Sequence, residues 1–348
     1  MIVKRDEHGV PVSTVSDPHI QAVMLEQAEI QPGMRVLEIG SGGYNALLAE
    51  LAGPTGQVVT VDIDPAVADR ARLFLDQAGY PQVKVVLADA ENGVPEYAPF
   101  DRILVTAGAW DAPPTWSRQL AERGRIVMPL RTRGVTRTVA FDPDGDRLVS
   151  VSSAPCGFVP MQGAGAHGER LWLLSGNRIG LLVDDGELEE PDRLSGVFSR
   201  ERSECWSGVT IGRSEPFDHL FLWFATSLRG FARLMVDREQ GDPGLAAGPG
   251  EKYFPFAHVV GDAIGYMTIR PSVDPVRVEI GARAFGASGP NAAADMAESI
   301  RIWDGQVRHG PGPRYAVFPA GTPVSELPDG YVLDKRHCRI VISWPAGS

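Results

Sequence analysis

The sequence predicts an α/β protein: a doubly wound, mostly parallel sheet that ends in an antiparallel hairpin, followed by a C-terminal α+β domain. Three observations carry that prediction. Short apolar strands alternate with amphipathic helices from residue 18 to residue 151, the rhythm of βαβ crossovers around a buried parallel sheet. "VTRTVAF-DPDG-DRLVSVS" then breaks the rhythm with two alternating strands around a Pro-Asp-Gly turn, which reads as a hairpin. Beyond it the chain mixes helical and strand patterns between glycine- and proline-rich joints such as "GDPGLAAGPG" and "RHGPGP".

The elements follow in order. "PHIQAVMLEQAEI" carries Ile20, Val23, Met24 and Ala28 at helical spacing. Pro18 suits its first turn, with Asp17 or Ser16 as cap. "RVLEIG" is a strand, "YNALLAELAG" a helix ended by Gly53, and "QVVTVDID" a strand. "PAVADRARLFLDQAG" is a helix from Pro65 to Gly79, "QVKVVLAD" a strand, "AENGVPEYAPF" a loop and "DRILVTAG" a strand. "PTWSRQLAERG" is expected to be helical and "RIVMPL" to be the next strand. In the C-terminal part, "EPFDHLFLWFATSLRG" and "NAAADMAESIRIWDG" read as helices; "FARLMV", "FAHVVGDAIGYMTIR", "VRVEIGARAF" and "HCRIVISW" read as strands. The expected division is 1–168 and 169–348. The tryptophans of the second part (Trp172, Trp206, Trp223, Trp303, Trp344) are expected mainly in its core.

Composition excludes several classes of function. At 43% hydrophobic and 22% charged residues, the 348-residue chain can bury a core. A net charge of -11 argues against a nucleic-acid surface, which needs clustered Lys and Arg. Cys156, Cys205 and Cys338 form no C-x-x-C and fit neither a disulfide scaffold nor a zinc site, so a cytoplasmic setting is expected. No run of about 18 apolar residues and no secretory h-region is present, so no membrane partner is expected.

The glycine turn in "VLEIGSGGYNALLAELAG" links a strand to a helix, where a ligand can approach the backbone. It lacks the Lys of a P-loop. Gly40 and Gly42 fit the first two places of G-x-G-x-x-G, but Asn45 holds the third, which disfavours a dinucleotide. S-adenosylmethionine fits better. Glu38, Gly40, Ser41 and Gly42 supply E-x-G-x-G; Asp62 ends the second strand, where it can accept from ribose hydroxyls; Asp89 ends the third, placed for an adenine amino group. Tyr44, Ile63, Ala90 and Thr106 flank these positions and belong to the same expected cofactor set. No metal site is expected.

Six segments in order, "STVSDPHIQAVMLE", "PGMRVLEIGSGGYNALLAEL", "GQVVTVDIDP", "LADAENGVPEYAPFDRILVTAGA", "RGRIVMPL" and "CGFVPMQG", resemble the protein-L-isoaspartate O-methyltransferase family over residues 12–163. The resemblance implies a class I S-adenosylmethionine-dependent methyltransferase fold and methyl transfer to a peptide side-chain carboxylate. It also implies that Ser16 of the Ser-x-Pro-His element orients that carboxylate, that His19 shapes the same pocket, and that Thr106, Ala107 and Gly108 line it. An aspartyl methyl ester that closes to a succinimide is the implied product.

Three departures from the family pattern stand out: only fifteen residues precede Ser16, the glycine turn is one residue short, and about 180 residues follow "FVPMQG". A different cover over the cofactor, or a start further upstream, is expected from the first. Together they resemble the FxLD-type branch associated with lanthipeptides and other ribosomally made peptides, with a cyclised precursor as expected partner. General isoaspartyl repair is the alternative. An RNA methyltransferase and a non-catalytic peptide-binding module are remoter ones.

Overall fold

In the computed structural model of the chain, residues 2–5, 11–41, 43–175, 178–186, 188, 191–237, 245 and 252–346 are described. They fall into two compact units. The first holds Met1–Arg131, Thr136–His167 and Arg314–Ser343; the second holds Thr132–Val135, Gly168–Pro313 and Trp344–Ser348.

The first unit opens with a two-stranded antiparallel pair, β1 (Ile2–Arg5) and β2 (Pro11–Thr14). Helix α1 (Pro18–Ala28) starts at Asp17, whose carboxylate accepts the His19 N–H and so takes the capping role. Then come β3 (Arg35–Ile39), α2 (Asn45–Ala52), β4 (Gln57–Asp62), α3 (Pro65–Ala78), β5 (Lys84–Leu87) and β6 (Phe100–Val105). The expected stops hold: Gly53 and Gly79 end α2 and α3 at φ +67° and +87°, values that glycine adopts without strain. Pairs β3–β4, β3–β6, β4–β5 and β6–β7 are parallel. Buried on both faces, β3 and β4 need the near-continuous apolar runs their sequences show.

Two expectations are corrected here. The helix expected over "PTWSRQLAERG" is only α4 (Pro114–Arg118), because β7 (Leu120–Thr132) begins within it and pairs with β6 through Phe100↔Leu120 and Arg102↔Arg125. Sheet pairing overrides the helical pattern of "LAERG". β8 (Val135–Asp144) and β9 (Arg147–Pro155) then form the expected hairpin. The second correction concerns the boundary. β17 (Arg314–Pro319), β18 (Tyr331–Asp334) and β19 (Cys338–Ser343) do not belong with the C-terminal domain. They extend the first unit's sheet, which has ten strands in the order β18-β19-β17-β9-β8-β7-β6-β3-β4-β5. The join is antiparallel pairing of β17 with β9, Ala316↔Val149 and Val317↔Leu148, a contact that no local pattern encodes.

The second unit carries β10 (Arg170–Ser175), β11 (Ile179–Val183), β12 (Arg202–Gly212), α5 (His219–Ser227), β13 (Phe231–Val236), β14 (Lys252–Val260), β15 (Ala263–Pro271), β16 (Arg277–Phe285) and α6 (Gly289–Gln306). Its antiparallel sheet has seven strands in the order β10-β11-β13-β14-β15-β16-β12. The two helices cover it through Leu220, Phe224, Met296, Ile300 and Trp303, all at most 1% exposed. Burial of such side chains is worth about 1.5–3 kcal/mol each. The other four tryptophans of the C-terminal part are half-buried.

Candidate active site

The carboxyl ends of β6, β3, β4 and β5, neighbours in that order, converge on one cleft of about 690 Å³ that opens to solvent. Open α/β sheets bind ligands at this end. Gly40, Asp62, Ile63, Asp89, Ala90 and Thr106 all line it, so six positions spread over 67 residues of sequence meet there, with Ala107 beside them.

Gly40 needs to be glycine for two reasons. Its φ is +95°, and a Cβ there would stand 2.7 Å from the Thr106 hydroxyl. That hydroxyl lies 2.7 Å from the Gly40 carbonyl oxygen, while the Gly40 N–H donates to Val61 O at 2.8 Å. The turn is therefore held between β4 and β6 with its backbone against the cleft. Asp62 anchors it from the other side: one carboxylate oxygen accepts the Ser41 N–H at 2.9 Å and the other the Asp64 N–H at 2.9 Å. Burial raises the Asp62 carboxyl above its usual range, and these two bonds offset part of the shift. Asp89 is held in the same way, accepting the Glu91 N–H at 3.0 Å and the Ala164 N–H at 2.8 Å.

Glu38, Ser41 and Tyr44 are not among the lining residues; they stand behind the wall and support it. Glu38 is fully buried, and one oxygen accepts the Tyr44 N–H at 3.1 Å, which ties β3 to the start of α2. Among the described residues the other oxygen has no partner within hydrogen-bonding geometry; burial pushes the carboxyl up to about 8, with Thr60 and the Tyr44 N–H offsetting part of the shift. The Ser41 hydroxyl lies 2.8 Å from that of Thr60. Gly42 lies outside the described residues.

Ser16 and His19 also lie off the cleft lining. Asp17 takes the cap of α1, and the Tyr44 phenol, raised to about 12 by burial, donates to Met24 Sδ at 3.5 Å. His19 is exposed on the first turn of α1.

Sequence reasoning missed one wall. Ser13 and Thr14 of β2 line the cleft. The Lys4 ammonium pairs with Asp64, the cap of α3, and this pairing holds the Asp64 carboxyl below its usual range. Nothing in "IVKR" signals that role. The opposite wall, Val159 to Gln162, was present in the quoted "FVPMQG" segment; backbone bonds of Gly108 with Val159 and Met161 attach it to the end of β6.

The donor set fits S-adenosylmethionine. Two carboxylates on adjacent strands offer acceptors for a diol and an amino group, Gly40 admits close backbone approach, and Ile63, Val67 and Met161 supply apolar surface. Among the described residues no group of three His, Cys, Asp or Glu is placed to hold a metal, and no helix is long and apolar enough to cross a membrane.

Sequence comparison matches the N-terminal part of the chain, which holds these residues, to a known family. The model of the protein-L-isoaspartate(D-aspartate) O-methyltransferase family matches residues 7–166. The protein-L-isoaspartate O-methyltransferase of Methanococcoides burtonii is 43% identical over 152 residues, which are 43% of this chain and 75% of that relative. That of Methanopyrus kandleri is 43% identical over 155 residues, covering 43% of this chain and 68% of the relative. A solved protein-L-isoaspartate O-methyltransferase aligns with 83% of this chain and 73% of its own at 21% identity and TM-score 0.42.

Proposed function

The chain belongs to the protein-L-isoaspartate O-methyltransferase family, and from that premise we propose that it methylates the side-chain carboxylate of an isoAsp or Asp residue in a peptide. S-adenosylmethionine is the methyl donor. The observation that carries the reading is the convergence of Gly40, Asp62, Asp89 and Thr106 on one cleft.

The chemistry asks little of the protein. A carboxylate is ionised at neutral pH and needs no strong base. Its oxygen attacks the methyl carbon, the carbon–sulfur bond breaks, and the electron pair passes to sulfur, leaving a methyl ester and a neutral thioether. The protein's contribution is to align oxygen, carbon and sulfur and to exclude water. Asp62 and Asp89 hold the nucleoside part, Gly40 admits the donor beside the backbone, and the β1–β2 cover with the 159–162 wall limits access of water. Ser16, just before the Asp17 cap of α1, orients the acceptor carboxylate. Ser16→Ala is expected to lower kcat about tenfold with cofactor affinity unchanged by calorimetry; full activity removes Ser16 from the mechanism.

A narrower substrate is favoured by one observation. The matched family span ends at residue 166, and residues 168–313 fold as a separate unit with its own seven-stranded sheet. Such a unit suits recognition of a dedicated modified peptide, such as a cyclised precursor of the lanthipeptide kind, whose ester would close to a succinimide. The test compares a generic isoAsp peptide with a cyclised Asp-containing precursor. Turnover favouring the precursor by tenfold or more in kcat/KM is expected; efficient turnover of the generic peptide alone sinks this reading and leaves isoaspartyl repair.

A further inference from the structure

The turn between β18 and β19, contributed by the last strands of the chain, lands beside Asp89. The Arg336 guanidinium, through one nitrogen, donates to the Glu91 carboxylate at 2.9 Å and to the Ala164 carbonyl at 2.7 Å. These are the two residues whose backbone N–H groups hold the Asp89 carboxylate. His337 Nε2 lies 2.6 Å from the same Glu91 oxygen and 3.0 Å from the Arg336 Nε, so the three side chains form one cluster. The Glu91 side chain is 13% exposed and that of Arg336 50%, so the pair is partly screened by solvent, and it is the shared geometry of Arg336 on Glu91 and Ala164 that carries the argument. The turn is itself fixed from below: the His337 N–H donates to Asp111 at 2.8 Å, and the Cys338 thiol donates to the other Asp111 oxygen at 3.0 Å. Asp111 is 4% exposed and follows β6 by six residues.

We propose that Arg336 and His337 are positioning residues for the cofactor cleft: they clamp Glu91 and Ala164 and thereby set the Asp89 carboxylate. The proposal rests on the cofactor reading above. In physical terms, residues 91 and 164 belong to two separate 3-10 turns, and relative motion of the two would disturb Asp89, which accepts from both. One cation bound to both loops removes that relative motion, so Asp89 meets its ligand already oriented and the ordering cost of binding falls. The clamp comes from a turn about 170 residues beyond Ala164 in sequence, within the 314–343 segment that belongs to the first unit.

The test uses the full chain and two readouts. With S-adenosylhomocysteine as the titrant, Arg336→Ala is expected to weaken binding about tenfold, and in assays to raise KM for S-adenosylmethionine with kcat within twofold. Arg336→Lys, which keeps a cation with several donors, is expected to recover most of the affinity. Independently of any cofactor, hydrogen exchange at the Glu91 and Ala164 amides should accelerate in Arg336→Ala while the amides of β3 and β4 keep their protection. Unchanged affinity in Arg336→Ala, or acceleration spread evenly over the sheet, overturns the proposal. Failure of the unaltered protein to bind S-adenosylhomocysteine instead refutes the cofactor reading; the clamp on Asp89 is then decided by amide exchange alone.

Discussion

Asp62→Ala is expected to lose at least a hundredfold in affinity for S-adenosylmethionine, about 3 kcal/mol. Two losses combine. The substitution removes the acceptor expected to meet the ribose hydroxyls. It also leaves the Ser41 and Asp64 N–H groups without the carboxylate that fixes them at 2.9 Å each, and a buried N–H left unpaired costs about 1–3 kcal/mol. The sheet survives, because β4 keeps its backbone pairing to β3 and β5. A thermal midpoint within several degrees of the unaltered protein is therefore expected alongside the lost binding. Isothermal calorimetry decides the matter, and an unchanged dissociation constant removes Asp62 from the site.

Gly40→Ala carries the second large effect. An alanine at φ +95° is strained, by about 1–3 kcal/mol, and its Cβ would meet the Thr106 hydroxyl at 2.7 Å. The turn must shift away from β6, which breaks the Thr106 contact and moves backbone into the cleft. Cofactor affinity is expected to fall at least thirtyfold. Combining Gly40→Ala with Thr106→Ala removes the clashing hydroxyl but not the strained φ, so part of the affinity should return and the two sites should be coupled. Strict additivity in that double-mutant cycle means that the Gly40–Thr106 contact does not shape the cleft.

How much of this was legible in the sequence depends on whether the determinant was local. β3, β4 and β6 announced themselves as apolar runs because a parallel strand buried on both faces admits little else. Gly53 and Gly79 marked helix ends because the left-handed turn there favours glycine. Asp62, Asp89 and Thr106 were legible as strand ends, and strand ends are where this class of sheet places its ligand. Long-range determinants were silent. "HCRIVISW" read correctly as a strand, yet nothing in it says that β19 lies in the sheet of the first unit. The helical pattern of "LAERG" gave way to pairing with β6. Glu38 fits the cofactor motif by spacing but stands behind the wall, a distinction that only burial reveals. The Lys4–Asp64 pair and the Arg336 clamp join residues 60 and 245 positions apart, and no spacing rule reaches that far.

The central claim is methyl transfer from S-adenosylmethionine to a peptide carboxylate, and one measurement addresses it directly. The full chain is incubated with methyl-labelled S-adenosylmethionine and, separately, with an isoAsp peptide and a cyclised Asp-containing precursor. Label should appear in at least one peptide and be released as methanol by mild base, since an ester hydrolyses where a methylamine or methyl ether does not. Transfer of label into a base-stable position, or no transfer to either peptide by protein shown to bind the cofactor, contradicts the account.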